Sequence, residues 1–229
     1  MNTPSGFDYS QDILPLGTYE SVPVQSLIPP YPDNFPEVTR LGIKIDVNLL
    51  RQEYNQFDKS GDYFVSRMKN FKNDIKETIK LFNQIGFSRT KYKAFPLRVE
   101  GTNQLLDTVG PYTRQLLENF GVPLFRQQYA LAVKGWSTKL HIDHPDFTTH
   151  GFRVFIPIDT AYIGFEKNIY QLLAGDCYFV NIARLHRGFS DEERVVIMCQ
   201  MASDKLIRIG ETLLPIDPNM LPDFYRHEP

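Results

Sequence analysis

The fold is decided by stretches such as Gly151-Phe152-Arg153-Val154-Phe155-Ile156-Pro157-Ile158. Its β-branched and aromatic residues favour a strand, in which Arg153 and Phe155 would point to one face and Val154 to the other. Further segments in the second half of the chain repeat this two-residue period, with glycine-containing turns between them. The predicted strands are Phe125–Lys134, Gly151–Ile158, Gln171–Leu173, Cys177–Asn181 and Arg194–Ala202.

The first half of the chain has a helical period instead. Asp46 is a candidate N-cap, followed by Leu49, Leu50 and Tyr54 on one face of a helix. Further helices are predicted over Tyr63–Gln84 and Asn103–Asn119. The second of these contains Gly110-Pro111, which would break it. Helices followed by short strands predict an α+β fold, with a β-sandwich or barrel backed by N-terminal helices.

We predict a single domain over residues 1–229. Residues 1–45 form an extended, proline-rich arm with short strands, such as Tyr19–Val24, and residues 46–122 form a helical support. Residues 123–203 form the strand core, and residues 204–229 form a C-terminal extension. Exposed aromatic residues in the arm would suit a homodimer.

Composition excludes several classes of protein. The 42% hydrophobic and 23% charged residues are ordinary globular values, which exclude a disordered or fibrous chain. The net charge of −2 supplies no basic surface for nucleic acid. No apolar run is long enough to cross a membrane, and the first residues lack a secretion signal. Cys177 and Cys199 suit small core residues, not a disulfide framework. We therefore expect a cytoplasmic protein.

The stretch Leu140-His141-Ile142-Asp143-His144-Pro145 contains the candidate metal ligands. In an extended backbone His141 and Asp143 point the same way, so both can reach one metal ion. His186 is the candidate third ligand, from a later strand. Two histidines and one carboxylate form the facial triad of non-haem Fe(II) oxygenases. The alternative for Asp143 is capping of the turn at His144-Pro145.

Arg194 follows His186 at the start of the last strong strand. A 2-oxo acid that chelates iron through its 1-carboxylate and 2-keto oxygen extends its far carboxylate away from the metal. A planar guanidinium can bind that carboxylate through two parallel hydrogen bonds. Arg194 is therefore the candidate anchor for such a cosubstrate. The alternative is a solvent-exposed arginine that follows Asp191-Glu192-Glu193.

These residues resemble a known family. The pattern of His141-x-Asp143, His186 and Arg194 is similar to that of the 2-oxoglutarate/Fe(II)-dependent dioxygenases. Lys134-Gly135-Trp136 and the stretch 151–158 resemble, more narrowly, the aspartyl/asparaginyl β-hydroxylase branch, which includes bacterial free-proline hydroxylases. The resemblance covers about a third of the chain. It implies a double-stranded β-helix (jelly-roll) core that uses Fe(II), 2-oxoglutarate and O2.

The resemblance also implies a reaction. It points to hydroxylation of a C–H bond in a small molecule, with a free amino acid as the first expectation because Asp143 is present, as in the small-molecule members. A peptidyl Asp, Asn or Pro hydroxylase is one alternative. A non-catalytic jelly-roll binding module with a relic metal site is another, and a cupin-like metal enzyme that does not use 2-oxoglutarate is a third.

Further residues are candidates for the pocket. The family's Arg-x-x-x-Pro strand matches Arg153, which would assist the 1-carboxylate of 2-oxoglutarate if it faces the interior. Peptidyl members place a serine where a gapless comparison puts Ala130, so Tyr129 or Ser190 would substitute for it. Trp136 would line the entrance or act as a buried anchor. We also consider two polar residues: His150 at the rim, and Asn181 as a partner that orients a ligand histidine.

Overall fold

The computed structural model describes residues 36–60, 88, 90–99, 104–120, 124–141, 152–182, 184–201 and 210–221. Several predicted features lie outside these ranges. They are the strand Tyr19–Val24, the helix Tyr63–Gln84, Asp143, and the loop histidines His144 and His150.

Most of the described residues belong to antiparallel strands, which we number in chain order. The strands are β1 (Val38–Leu41), β2 (Tyr92–Pro96), β3 (Leu124–Ala132), β4 (Trp136–Ser137), β5 (Phe152–Pro157), β6 (Ala161–Phe165), β7 (Ile169–Leu172), β8 (Cys177–Asn181), β9 (His186–Ser190), β10 (Arg194–Met201) and β11 (Glu211–Thr212). The helices are α1 (Val47–Gln56), α2 (Pro111–Glu118) and a 3₁₀ turn at Pro218–Met220. No helix in the described part of the chain is long and apolar enough to cross a membrane.

The strands form two antiparallel sheets. The larger sheet has the order β11-β1-β8-β5-β10-β3-β2, and the smaller one has the order β4-β9-β6-β7. From β3 to β10 the chain passes back and forth between the sheets, with β6 and β7 consecutive in the smaller one. This alternation is the topology of a double-stranded β-helix, or jelly-roll. The predicted α+β fold with a jelly-roll core is confirmed.

The larger sheet separates two apolar cores. On β10, Val195, Ile197 and Cys199 pack toward the helices, whereas Val196 packs with residues of the smaller sheet. This alternation follows from the two-residue period of a strand. The space between the two sheets is called the barrel interior below, and the other core is the helix side. Side chains of β10 at even positions therefore face the barrel interior.

Carboxylates cap the N-termini of both helices. The Asp46 carboxylate accepts hydrogen bonds from the amides of Asn48 and Leu49, which confirms the predicted N-cap of α1. Glu53 of α1 then caps α2, because its carboxylate accepts from the amides of Tyr112 and Thr113 at 2.7 and 2.8 Å. A carboxylate at this position satisfies amides that a helix leaves without internal partners.

Some local predictions are wrong. Leu50 and Tyr54 of α1 are buried as expected, but Leu49 is 42% exposed and lies off that face. The helix predicted from Asn103 begins only at Pro111. Proline is favourable at the first position of a helix, but within a helix it disrupts the hydrogen bonding of the preceding turn. In the described part before it, Leu105 forms an isolated β-bridge with Arg98.

Several strands come from segments without a strand prediction. β2 lies within the predicted helical support and pairs with β3. In the smaller sheet β4 has two residues, and β9 begins with a polar stretch that contains a glycine. Such short or mixed segments give no clear two-residue period, and their pairing depends on the longer strands around them.

Candidate metal centre

The candidate site begins with a direct pairing of two histidines. His186 is the first residue of β9, and His141 lies opposite it in an isolated antiparallel bridge. Their backbones exchange two N–H···O hydrogen bonds, each of 2.9 Å. Their ring centroids are 4.7 Å apart. The two predicted histidine ligands are therefore brought together, although they are far apart in sequence.

A one-residue bulge directs His141 into the barrel interior. Upstream, the Thr138 amide donates to the Gly188 carbonyl, so three positions on one strand (141 − 138) match two on the other (188 − 186). The extra residue changes the alternation of side chains, as β-bulges do. Leu140 is 43% exposed as a result, and the ring of His141 lies beside that of His186.

Backbone carbonyls orient both imidazole rings. The Nδ1 atom of His141 lies 2.7 Å from the carbonyl oxygen of Lys139. The Nδ1 atom of His186 lies 2.9 Å from the carbonyl oxygen of Arg184. Because a carbonyl only accepts, each Nδ1–H donates the hydrogen bond, which leaves Nε2 as the ring nitrogen that can bind a metal. This is the arrangement of metal-binding histidines, which donate their other ring N–H to such a partner.

The turn before His186 is anchored by Glu37. The Glu37 carboxylate accepts from Asn168 and from the Tyr170 hydroxyl, both at 2.8 Å, and lies 3.5 Å from the Arg184 guanidinium. The carbonyl oxygen of Arg184 is the one that accepts the hydrogen bond from His186 Nδ1. Glu37 therefore helps to fix the backbone that sets the orientation of this ring.

The distance between the rings fits a shared metal ion. Two imidazoles bound at right angles to one metal, with metal–nitrogen distances of about 2.1 Å, have centroids about 4.6 Å apart. The observed separation is 4.7 Å. The described residues contain no cluster of three or more histidine, cysteine or acidic side chains that could hold a metal. Asp143, the predicted third ligand, lies outside them, so its role stays a prediction.

Arg194 faces the barrel interior from the first position of β10. It shares the face of Val196 and is only 6% exposed. Its guanidinium carbon lies 5.4 Å from the centre of the Trp136 ring. A buried guanidinium requires compensation for its lost hydration. The alternative of a solvent-exposed arginine is wrong.

Arg153 faces the same interior from the other end. On β5 it shares the face of Phe155, which packs in the interior core, whereas Val154 packs on the helix side. Its register partners are Gln200 and Val180. Gln200 is six positions beyond Arg194 (200 − 194), or about 20 Å of strand. The β8 strand that contains Val180 leads directly into the turn before His186, so Arg153 lies at the histidine end.

The structure does not bring Tyr129 to the histidine pair. Tyr129 packs on the helix side, in edge contact with the rings of Tyr54 and Phe57, and its hydroxyl lies 3.2 Å from that of Thr113. Burial raises the pKa of its hydroxyl to about 12, so the phenol stays neutral. Ala130, one position later, faces the interior with Trp136.

Two other predicted residues are buried near the site. Ser190 shares the face of His186 on β9, and its hydroxyl donates to the Glu192 carbonyl at 2.5 Å. Asn181 ends β8 and is 1% exposed; its backbone N–H donates to the Glu37 carbonyl. The Nδ1 atom of His186 is paired with the Arg184 carbonyl, and the role of Asn181 in orienting a ligand histidine stays a prediction.

Three residues of the site have no sequence signal that identifies them. Phe165 is the register partner of His186, with ring centroids 6.4 Å apart. Tyr92 stacks on Trp136, and Gly188 lies against the same indole. Only the pairing of β6, β9 and β2 with their neighbours places these side chains, so a motif within one segment could not have revealed them.

No protein-family model and no curated protein matches this chain. The solved structures that have some similarity to this chain include the following three. HygX from Streptomyces hygroscopicus, with nickel, 2-oxoglutarate and hygromycin B bound, is 9% identical over 72% of this chain and 82% of its own, with a TM-score of 0.39. AviO1 from Streptomyces viridochromogenes Tue57 is 11% identical over 81% of this chain and 95% of its own, with a TM-score of 0.39. An oxidoreductase of the 2OG-Fe(II) oxygenase family from Burkholderia pseudomallei is 15% identical over 53% of this chain and 71% of its own, with a TM-score of 0.34. These values are too low to support an inference about function, which rests on the residues described above.

Proposed function

We propose that this protein is an Fe(II)- and 2-oxoglutarate-dependent dioxygenase that hydroxylates a C–H bond of a small molecule. The observation that carries the proposal is the placement of His141, His186 and Arg194. The two histidine rings lie side by side and are oriented by backbone carbonyls, and a buried arginine faces the same barrel interior. A metal ligand pair and a carboxylate-binding cation are the two parts that such a cosubstrate requires.

Each residue has a distinct task in this proposal. His141, His186 and Asp143 hold Fe(II), which supplies activation of O2 coupled to oxidative decarboxylation of 2-oxoglutarate. Arg194 binds the far carboxylate through two hydrogen bonds and so sets the direction of the cosubstrate. Arg153, at the histidine end, lies where it would neutralise the 1-carboxylate. The burial of Arg194 strengthens its contact with the far carboxylate.

We further propose a free amino acid as the substrate. The support is the resemblance of the His141-x-Asp143 pattern to the small-molecule members of the family. A substrate of this class carries charges that a buried polar site can recognise selectively, because a binding group left without its partner is costly. A peptidyl residue is the competing substrate, and the same experiment distinguishes the two.

Release of succinate tests the proposed reaction. With Fe(II) and 2-oxoglutarate in air, we expect one free amino acid to raise succinate release about tenfold or more over the uncoupled rate, with a product heavier by one oxygen atom. Matched reactions contain short peptides with the same residue at an internal position. The His186→Ala variant is the control for iron that is not bound at the site.

The outcomes separate the alternatives. Stimulation by peptides alone would replace the free amino acid by a peptidyl substrate. A rate in His186→Ala equal to that of the unaltered protein would contradict the assignment of the metal centre. No succinate under any condition, with iron and 2-oxoglutarate both bound, would favour a non-catalytic binding module.

A further inference from the structure

Arg194 lies at one end of a stack of three side chains, in which it follows Tyr92 of β2 and Trp136 of β4. The ring of Tyr92 on β2 stacks on the indole of Trp136, with centroids 4.9 Å apart and planes inclined by 29°. The guanidinium of Arg194 lies over the same indole, at 5.4 Å from its centre. All three side chains are buried. The indole therefore contacts an aromatic ring and a cation, both of them buried.

The indole of Trp136 fits against β9 only because position 188 is a glycine. A Cβ atom added to Gly188 would lie 2.4 and 2.7 Å from two carbons of the Trp136 ring. Gly188 is two positions beyond His186 on the same face of β9, so the indole packs against β9 beside the histidine level. Ala130 and Ala132, which have small side chains, pack in the same cluster as Trp136. The walls around Trp136 are shaped to hold an indole in one place.

We propose that Trp136 is a positioning residue for Arg194, and that it holds the guanidinium in the orientation that binds the far carboxylate of 2-oxoglutarate. The inference rests on the proposed function, since it takes that carboxylate as the ligand of Arg194. Trp136 itself need not touch the cosubstrate. It acts through the guanidinium.

A π face suits this task better than an acidic side chain would. A carboxylate beside Arg194 would take the N–H groups that a dicarboxylate needs and would compete with it. An aromatic ring attracts a cation through its quadrupole and leaves the in-plane N–H groups to other partners. Such a contact also removes rotamer freedom of the arginine before the ligand arrives, and this lowers the entropic cost of binding. Tyr92, which stacks on the same indole, restricts the orientations open to that ring.

The test compares two 2-oxo acids with the same chelating end. The first is 2-oxoglutarate, and the second is 2-oxobutanoate, which lacks the far carboxylate. Their affinities for the Fe(II)-loaded protein are measured by calorimetry without oxygen. In Trp136→Leu we expect the dissociation constant for 2-oxoglutarate to rise about 5- to 30-fold, with little change for 2-oxobutanoate. Trp136→Phe, which keeps a smaller π face, should give an intermediate value.

The outcomes identify which proposal fails. An equal loss of affinity for both acids in Trp136→Leu would mean that Trp136 is only structural and would overturn the positioning role. An unchanged affinity for 2-oxoglutarate in this variant would overturn it as well. If the unaltered protein binds both acids with equal affinity, the far carboxylate is not bound at Arg194, and the proposed function fails before Trp136 is tested.

A second readout uses the fact that Trp136 is the only tryptophan in the chain. Because Arg194 lies against its ring, occupation of the guanidinium by a carboxylate should change the indole fluorescence at saturating 2-oxoglutarate. The change should be lost in Arg194→Ala, and 2-oxobutanoate should not produce it. An equal fluorescence change with both acids would contradict the proposed contact.

Discussion

Replacing His141 or His186 by alanine is expected to abolish both stoichiometric Fe(II) binding and turnover while leaving the fold intact. Each variant retains only part of a facial ligand set, which cannot hold the metal at useful affinity. The jelly-roll does not need the metal, because two separate apolar cores stabilise its sheets. Iron content after gel filtration, together with the thermal unfolding midpoint, measures both parts of the prediction.

The exposed Leu185 next to His186 supplies a matched control. Leu185→Ala should bind iron as the unaltered protein does, since Leu185 carries no ligand atom. Full activity of His141→Ala or His186→Ala at stoichiometric iron would remove that histidine from the metal centre. A collapse of the unfolding midpoint in both variants would instead show that the histidine pair is required for the fold.

Replacing Arg194 is expected to weaken 2-oxoglutarate selectively. Arg194→Ala loses the charge and both hydrogen bonds, at a cost of about 2–3 kcal/mol, or about 30- to 200-fold in the Michaelis constant for 2-oxoglutarate. Arg194→Lys keeps the charge without the planar fork and should fall between. Iron affinity should change little, because Arg194 is not a ligand.

Arg187→Ala is the matched arginine control. The Arg187 guanidinium lies over the ring of Phe189, and both side chains are on the face of β9 opposite to His186. We expect a Michaelis constant within about twofold of the unaltered value, since the Arg187 side chain points away from the histidine pair and from Arg194. An unchanged Michaelis constant in Arg194→Ala would refute its role and leave Arg153 or Lys205 as the candidate anchor.

The strand core was predictable because its longest strands have strong local patterns. β5, β8 and β10 combine β-branched and aromatic residues with clear alternation, and their predicted ranges agree with the structure to within one or two residues. The N-cap at Asp46 was equally accessible, because capping depends on a few consecutive residues. These are local signals that one segment carries by itself.

The direction of individual side chains was less predictable. His141 faces the interior because of a bulge in the pairing of its strand with β9. No residue type in this segment predicts the bulge. Tyr129 was a pocket candidate, but the alternation of β3 turns it to the helix side while Ala130 faces inward. A shift of one position reverses every such assignment, so register has to be known before a side chain can be placed.

The anaerobic complex with Fe(II) and 2-oxoglutarate tests the central claim most directly. Bidentate chelation of iron by a 2-oxo acid gives a weak metal-to-ligand charge-transfer band in visible light. We expect this band on adding 2-oxoglutarate to the Fe(II)-loaded protein, with half-saturation about 30- to 200-fold higher in Arg194→Ala. Absence of the band at saturating 2-oxoglutarate, with iron bound in stoichiometric amount, would contradict the assignment of this site to a 2-oxoglutarate-dependent dioxygenase.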